Sequence, residues 1–325
     1  MHNQIEMRPS AKPRVSVVMA AYNYGQYIAQ AIESVINQTY TGWELIIVDD
    51  GSTDDTPDAV APFLVDHRIG YHRQENRGQP AAENVGITLS RGEFIAFLDA
   101  DDAWFPRKLE CQLPKFDHSN EVGVVYSDRV KIDPYGRELL FKSLPCHSGR
   151  VLNEMFQNNF VCFSSSVVRR TVFDRSGVFN EEYRHASDYD LWLRVAMCWD
   201  FEFVDEPLVY YRTGHANLTG RSDVQLQTAL TIMERFSAAH RRAIPVGIKK
   251  RCFLETYCHL GLAYRDQNSL LSLRAYLNAL RFGPLSGDVW RGLVALSLPE
   301  SLRRIIRYLL GRPVDWRVPK LSDIE

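Results

Sequence analysis

Apolar positions along the chain change period several times, and those changes outline its elements. Residues 1–13 are polar and irregular and read as a disordered arm. The run Val15-Ser-Val-Val-Met-Ala20 is nearly continuous and β-branched, the pattern of a strand buried on both faces. Tyr22-Asn-Tyr-Gly25 breaks it, and Ile28, Ala31, Ile32, Val35 and Ile36 then recur at helical spacing over 26–39. Trp43–Val48 repeats the buried-strand pattern and ends in Asp49-Asp50-Gly51-Ser52. Ser52 or Thr53 is expected to cap the next helix, with Asp54 and Asp55 in its first turn. A short strand at 69–73, a helix at 79–90 and a buried strand Glu93–Leu98 follow, the last ending at Asp99-Ala100-Asp101-Asp102.

Strands alternating with helices in this way predict an α/β fold with a mostly parallel central sheet and helices on both faces. Ligands of such sheets bind outside the carboxyl ends of the strands, so the loops at Tyr22-Asn23, Asp49-Asp50 and Asp99–Asp101 are expected to converge. The next part is mixed, with strands at Val122–Val130, Phe163–Val168, Phe201–Val204 and Leu208–Arg212 and helices at Val151–Asn158 and Ser187–Met197. From about Ser222 only helical patterns remain, four or five of them, including a hairpin near 252–265 and 268–282. The expected organisation is an arm over 1–13, an α/β domain over 14–220 divided near 102, and a helical extension over 221–325.

With 45% hydrophobic and 24% charged residues, the composition excludes collagen, coiled coil and a wholly disordered chain. The net charge of −2 argues against a nucleic-acid binder. The charge is uneven: residues 241–325 hold 15 Lys/Arg against 7 Asp/Glu, leaving the first 240 acidic. Six cysteines form no CxxC pair or zinc spacing and read as buried reduced thiols. The start lacks an apolar signal-peptide core, and no apolar run reaches the ~18 residues of a membrane span. A cytoplasmic location is therefore expected.

Two carboxylates one residue apart, Asp99 and Asp101 with Ala100 between them, can lean toward one point just past a buried strand. That suits Mg²⁺ or Mn²⁺ gripping a diphosphate. A solvated acidic turn and a calcium loop running to Glu110 are alternatives. Ala103 and Trp104 argue against the calcium loop. Asp50 at a strand end can accept from a base or ribose, or serve ordinary capping. Tyr22-Asn23 could stack on a base. Asn76-Arg77-Gly78 leads into Ala81-Ala82-Glu83-Asn84-Val85-Gly86, where small residues allow close helix packing beside a nucleotide or simply on the sheet. There is no Walker loop and no GxGxxG.

Taken together, Val15–Asn23, Trp43–Asp54, Asn76-Arg-Gly78 and Gly92–Asp102 resemble family 2 glycosyltransferases, inverting enzymes of the GT-A fold. The resemblance covers roughly residues 14–215. It implies that Ala21, Tyr22 and Asp50 surround the nucleotide base, with Asn23, Asn76, Gly78, Asn84 and Ala100 lining the donor site. It places Asp99 near ribose and metal and makes Asp101 the principal metal ligand of a DXD motif. The family's later acidic motif matches Ser187-Asp188, which makes Asp188 the catalytic base. Tyr210-Tyr-Arg-Thr-Gly-His215 matches an element whose histidine approaches the metal or diphosphate, and Arg212 is expected to support Asp188 or a phosphate. Two residues depart from the pattern: Ser187 stands where Glu is usual, and Glu83 where Arg is frequent. Ser187 could also cap the following helix, with Asp190 as its partner.

The implied activity is metal-dependent transfer of a sugar from a nucleotide-diphosphate sugar, UDP by default, to a glycan or lipid-linked acceptor. Surface polysaccharide or glycolipid assembly is the expected setting. His185, just before the base, could line the acceptor site. A catalytically silent sugar-nucleotide or glycan-binding module on the same fold is the alternative. The basic, apolar stretch 286–312 suits a peripheral contact with the inner face of the plasma membrane, packing on the catalytic domain, or self-association with a second subunit.

Overall fold

The computed structural model describes residues 12–141, 143–214, 222–265 and 267–297. The chain divides into two compact units, one over 1–155 and 159–217 and the other over 156–158 and 218–325. Among the described residues no helix is long and apolar enough to cross a membrane.

The first unit is built on an eight-stranded sheet. Its elements run β1 (Val15–Ala21), α1 (Gly25–Ile36), β2 (Trp43–Asp49), α2 (Thr56–Val60), β3 (Ile69–Arg73), α3 (Gln79–Leu89), β4 (Phe94–Phe97), β5 (Ala103–Trp104), α4 (Lys108–Gln112), β6 (Val122–Ile132), α5 (Leu152–Gln157), β7 (Val167–Arg169), α6 (Thr171–Ser176), α7 (Ser187–Ala196) and β8 (Asp200–Arg212). The strand order is β3-β2-β1-β4-β7-β6-β8-β5. β3, β2, β1 and β4 are parallel, as the βαβ repeats predict. β7 then enters antiparallel to both β4 and β6, β8 is parallel to β6, and β5 is antiparallel to β8, so the sheet is mixed. β1, β2 and β4 are buried along their length, with Ile28, Ala31, Ile32 and Val35 of α1 packed into the same core. α3 lies close on β1: a Cβ on Gly86 would stand 2.3 Å from Val18 Cγ1, so the small residue here serves packing on the sheet.

Three sequence expectations change. The run Phe163–Val168 is not one strand: Phe163–Ser165 forms a 3₁₀ turn and β7 begins at Val167. Ser165 Oγ and Ser166 Oγ donate to the carbonyls of Cys162 and Phe163, and such local bonds compete with a strand ladder. The segments 201–204 and 208–212 are one strand, because Pro207 sits where the register against β6 shifts at Asp128 and needs no ladder donor. The helix after Asp50 begins only at Thr56, and neither Ser52 nor Thr53 caps it.

The second unit holds α8 (Ser222–Ala239), α9 (Val246–Tyr264), α10 (Ser269–Leu280) and α11 (Gly287–Ser297). Asn268 caps α10 by accepting from Leu270 N and Leu271 N. Of the amphipathic stretch 286–312, residues 298–312 lie outside the described residues. Tyr276 of α10 fills the space left by Gly261 and Gly292, where added Cβ atoms would meet its ring at 2.7 and 2.2 Å.

His259 of α9 is partly buried, its buried Nε2 lacks a partner, and burial lowers its pKa to about 4. The folded imidazole stays neutral while the unfolded one gains a proton below about pH 6.5. The unfolded state then binds more protons, so stability falls as pH drops from 6.5 toward 4. The second unit should lose about 2 kcal/mol from this group between pH 7 and pH 5. Urea unfolding at the two pH values should show a smaller loss for His259→Gln; an equal loss would contradict the assignment.

Candidate functional site

The carboxyl ends of β1, β2 and β4 are laced together by their own loops. Asp50 N donates to Ala21 O (2.8 Å). Asn23, at φ +61°, accepts from Thr53 N on Oδ1 (2.7 Å) and donates from its backbone to Ser52 Oγ (3.0 Å). Tyr24 N donates to Thr56 Oγ1 (2.9 Å) and Gly25 N to Asp54 Oδ2 (3.0 Å). Asp54 also accepts from Thr56 N (3.0 Å), just ahead of the Asp55 cap position, and no side chain caps the helix. Ser52 and Thr53 are instead engaged by Asn23, which ties the first loop to the second.

Asp50 is buried and organises the third loop. Its Oδ1 accepts from Gln74 Nε2 (2.7 Å) and Arg77 N (2.9 Å), and its Oδ2 from Gly78 N (2.7 Å). Three of a carboxylate's roughly four acceptor positions are thus filled by the chain. Gly78 is at φ +96°, a conformation natural to glycine. Asn76 is exposed on this loop, Tyr22 is 45% exposed, and Ala21 and Ala100 are buried. Asn84 is engaged by the chain itself. It donates to Phe179 O (3.0 Å) and Glu181 Oε1 (3.2 Å) and accepts from Phe179 N (2.9 Å), pinning the segment 179–181.

The centre of the site is acidic. Asp99, Asp101 and Asp102 each offer an oxygen within 4.8 Å of the others, directly after β4. Ser164 Oγ accepts from Asp99 N (3.1 Å) and donates to Asp102 Oδ2 (2.5 Å), while Gln79 Nε2 donates to Asp99 Oδ1 (2.9 Å). Asp102 Oδ1 accepts from Arg212 N (2.8 Å). The buried Arg212 guanidinium donates to Asp101 O (2.8 Å), Asp133 O and Pro134 O (both 3.2 Å) and Gln30 Oε1 (2.6 Å), and lies over the Tyr27 ring. Arg212 therefore clamps the acidic turn from behind, which corrects the expectation that it meets Asp188 or a phosphate. The calcium-loop reading also falls: Ala103-Trp104 is a strand paired with β8, and Glu110 is taken by Thr39 Oγ1 (2.7 Å).

Asp188 opens α7. The residue before it in the cap position is Ala186, at φ +52°, and no side chain caps the helix. Ser187 is the first helical residue, and Asp190 pairs with Arg194 (2.8 Å), so the Ser187–Asp190 capping box does not form. Asp188 Oδ2 accepts from Asn159 Nδ2 (2.6 Å). Asp188 and Asp101 both lie close enough to Asp99 for their charges, after burial itself, to push its carboxyl up to about 8. Burial also raises Asp188, against the bonds from Asn159 and Tyr189 N. His215 lies outside the described residues.

Glu83 completes the acidic group. It is 2% exposed, its Oε2 makes no hydrogen bond, and burial with the charges of Asp99 and Asp188 holds its carboxyl well above the usual range. Sequence reasoning missed Gln79, Asn159 and Ser164. Ser164 was hidden in an apparent strand; Asn159 carried no signal. Three carboxylates on one turn are a hard-oxygen donor set that fits a divalent cation such as Mg²⁺ or Mn²⁺, whose charge would offset their mutual repulsion.

A family model described as glycosyl transferase family 2 matches residues 16–177. A protein of Rickettsia typhi described as an uncharacterized glycosyltransferase is 32% identical over 233 residues, 70% of this chain and 70% of its own length. The chain spans only about a quarter to a third of the first relatives it matches (26% and 30%). Among solved structures, that of S. aureus TarS residues 1–349 in complex with UDP-GlcNAc aligns at a TM-score of 0.62 with 18% identity, over 93% of this chain and 88% of that one. The mannosyltransferase PcManGT from Pyrobaculum calidifontis, in complex with GDP-Man and Mn²⁺, aligns at 0.58 with 22% identity, over 93% and 85%. At such identities these two structures speak for the fold.

Because Glu83 keeps its proton in the folded state and loses it in the unfolded one, its contribution to stability is full below about pH 4.5 and is lost as pH rises. Glu83→Gln has no such loss. In metal-free buffer its melting temperature should rise relative to the parent as pH increases from 4.5 to 8. A constant difference across that range would refute the buried acid.

Proposed function

The chain belongs to glycosyl transferase family 2, and we propose that it moves a sugar from a nucleotide-diphosphate sugar to an acceptor hydroxyl, with inversion at the anomeric carbon and Mg²⁺ or Mn²⁺ as cofactor. The observation that carries this reading is the convergence of Asp99, Asp101 and Asp102 at the end of β4, with Asp188 near enough to feel them. UDP-GlcNAc and GDP-Man in the two structural neighbours support a nucleotide-sugar donor, and Mn²⁺ in one of them supports a cation.

In this reading Asp101 and Asp99 would hold the cation, with Asp102 fixed behind them by Ser164 and the Arg212 backbone. When bound, the ion supplies Lewis-acid neutralisation of the diphosphate leaving group. Ala21, Tyr22 and the Asp50-held loop carrying Asn76 and Gly78 form the nucleotide side, and Tyr22 is exposed enough to stack on a base. Asp188 takes the proton of the acceptor hydroxyl as the hydroxyl oxygen bonds to the anomeric carbon, and the nucleoside diphosphate leaves from the opposite face with the electron pair. A base works best with its pKa moved toward neutrality, the direction in which burial takes Asp188. No covalent nucleophile is required.

The acceptor in this account is a glycan or a lipid-linked glycan, and the setting is surface polysaccharide or glycolipid assembly on the cytoplasmic side. Asp188→Asn should reduce turnover by about 10²- to 10⁴-fold. Nucleotide and Mn²⁺ binding, followed by calorimetry, should be kept. Unchanged turnover would remove Asp188 as the base. A parent protein that binds a nucleotide sugar but transfers it to no acceptor would favour a silent binding module.

A further inference from the structure

The second unit carries a surface that sugar transfer does not use. α10 turns Ser272, Ala275, Tyr276 and Ala279 into the helical core. Its opposite side leaves Leu270, Leu273 and Leu277 exposed at 77%, 39% and 51%. Their spacing of three and then four puts them in one stripe along the helix. Arg274 and Arg281, seven residues apart and both exposed, run along the same side. On α11, Trp290 and Val294 are one turn apart and also more than half exposed. Single surface leucines are ordinary, but a stripe of them is not.

Charge selects what covers this face. Residues 241–297 hold nine Lys/Arg against three Asp/Glu. A second copy laid face to face would set arginine against arginine. The chain's own continuation, residues 298–312, carries four arginines and one glutamate and meets the same repulsion. An anionic bilayer surface accepts both features: leucine and tryptophan enter the boundary of the acyl region, and arginine reaches the headgroups. With no described helix able to span a membrane, the contact is a surface one.

We propose that the Leu270–Leu273–Leu277 stripe of α10, flanked by Arg274 and Arg281, docks the protein peripherally on an anionic lipid surface. This goes beyond the transferase reading and does not depend on it.

The full chain is sedimented with phosphatidylcholine vesicles, with and without phosphatidylglycerol, at low and high salt. Binding is expected only to the anionic vesicles and should weaken with salt. Arg274→Glu with Arg281→Glu should lower the partition coefficient at least fivefold for each site, the scale of one basic residue near an anionic surface. Leu273→Ser with Leu277→Ser should lower it about tenfold. Circular dichroism melting should be unchanged in both, because the altered side chains are exposed. Three results would overturn the proposal. The first is a parent that fails to sediment with anionic vesicles. The second is binding of both variants equal to the parent's, which moves the contact elsewhere in the chain. The third is a dimer in size-exclusion light scattering that the leucine variant abolishes, which makes a second copy the occupant.

Discussion

Three carboxylates held within 4.8 Å of one another repel, and much of the first unit is arranged to keep them there. Ser164 binds Asp102 and the Asp99 backbone, and Gln79 holds the Asp99 side chain. Arg212 reaches four acceptors around the turn from behind. None of these contacts removes the repulsion, which adds to burial in raising the carboxyls of Asp99 and Asp102. In the proposed reading a bound cation would offset that repulsion.

The same economy of parts explains the neighbouring loops. Polar residues that could each face a ligand are largely engaged by one another: Asn23 with the Ser52-Thr53 turn, Asp50 with residues 74–78, Asn84 with residues 179–181. They make a rigid rim rather than a set of free donors. In the proposed mechanism the chemistry then falls to fewer groups, chiefly the acidic turn, Tyr22 and Asp188. Asn23 and Ala186 are the non-glycine residues at positive φ among those described, and each stands in a segment bordering the acidic centre. Asparagine adopts that conformation readily. Alanine does so at some strain, which the surrounding packing of the Asp188 turn must sustain.

Much of this was legible in the sequence because it depends on local pattern. Continuous β-branched runs marked β1 and β2, and helical spacing marked α1. Acidic residues clustered at strand ends marked the candidate site. What was not legible depends on contacts distant in sequence. The antiparallel entry of β7 between β4 and β6 follows from tertiary pairing, and the three serines at 164–166 looked like strand while forming a turn. Arg212 resembled a ligand-binding arginine, and only the positions of Asp133, Pro134 and Gln30 show it to be a clamp. Ser187 looked like a cap because its spacing to Asp190 allowed one, but Arg194 took Asp190.

The central claim is that the acidic turn exists to hold a cation against a diphosphate. The most direct test is the melting temperature of the parent and of Asp101→Asn with UDP or GDP, each with and without Mn²⁺. A ligand that binds only the folded state raises that temperature according to its affinity. The account predicts that one nucleotide stabilises the parent only when Mn²⁺ is present, and that Asp101→Asn loses this effect while melting normally on its own. Equal stabilisation without metal, or an unchanged response in Asp101→Asn, would mean that the diphosphate is held by something other than these carboxylates.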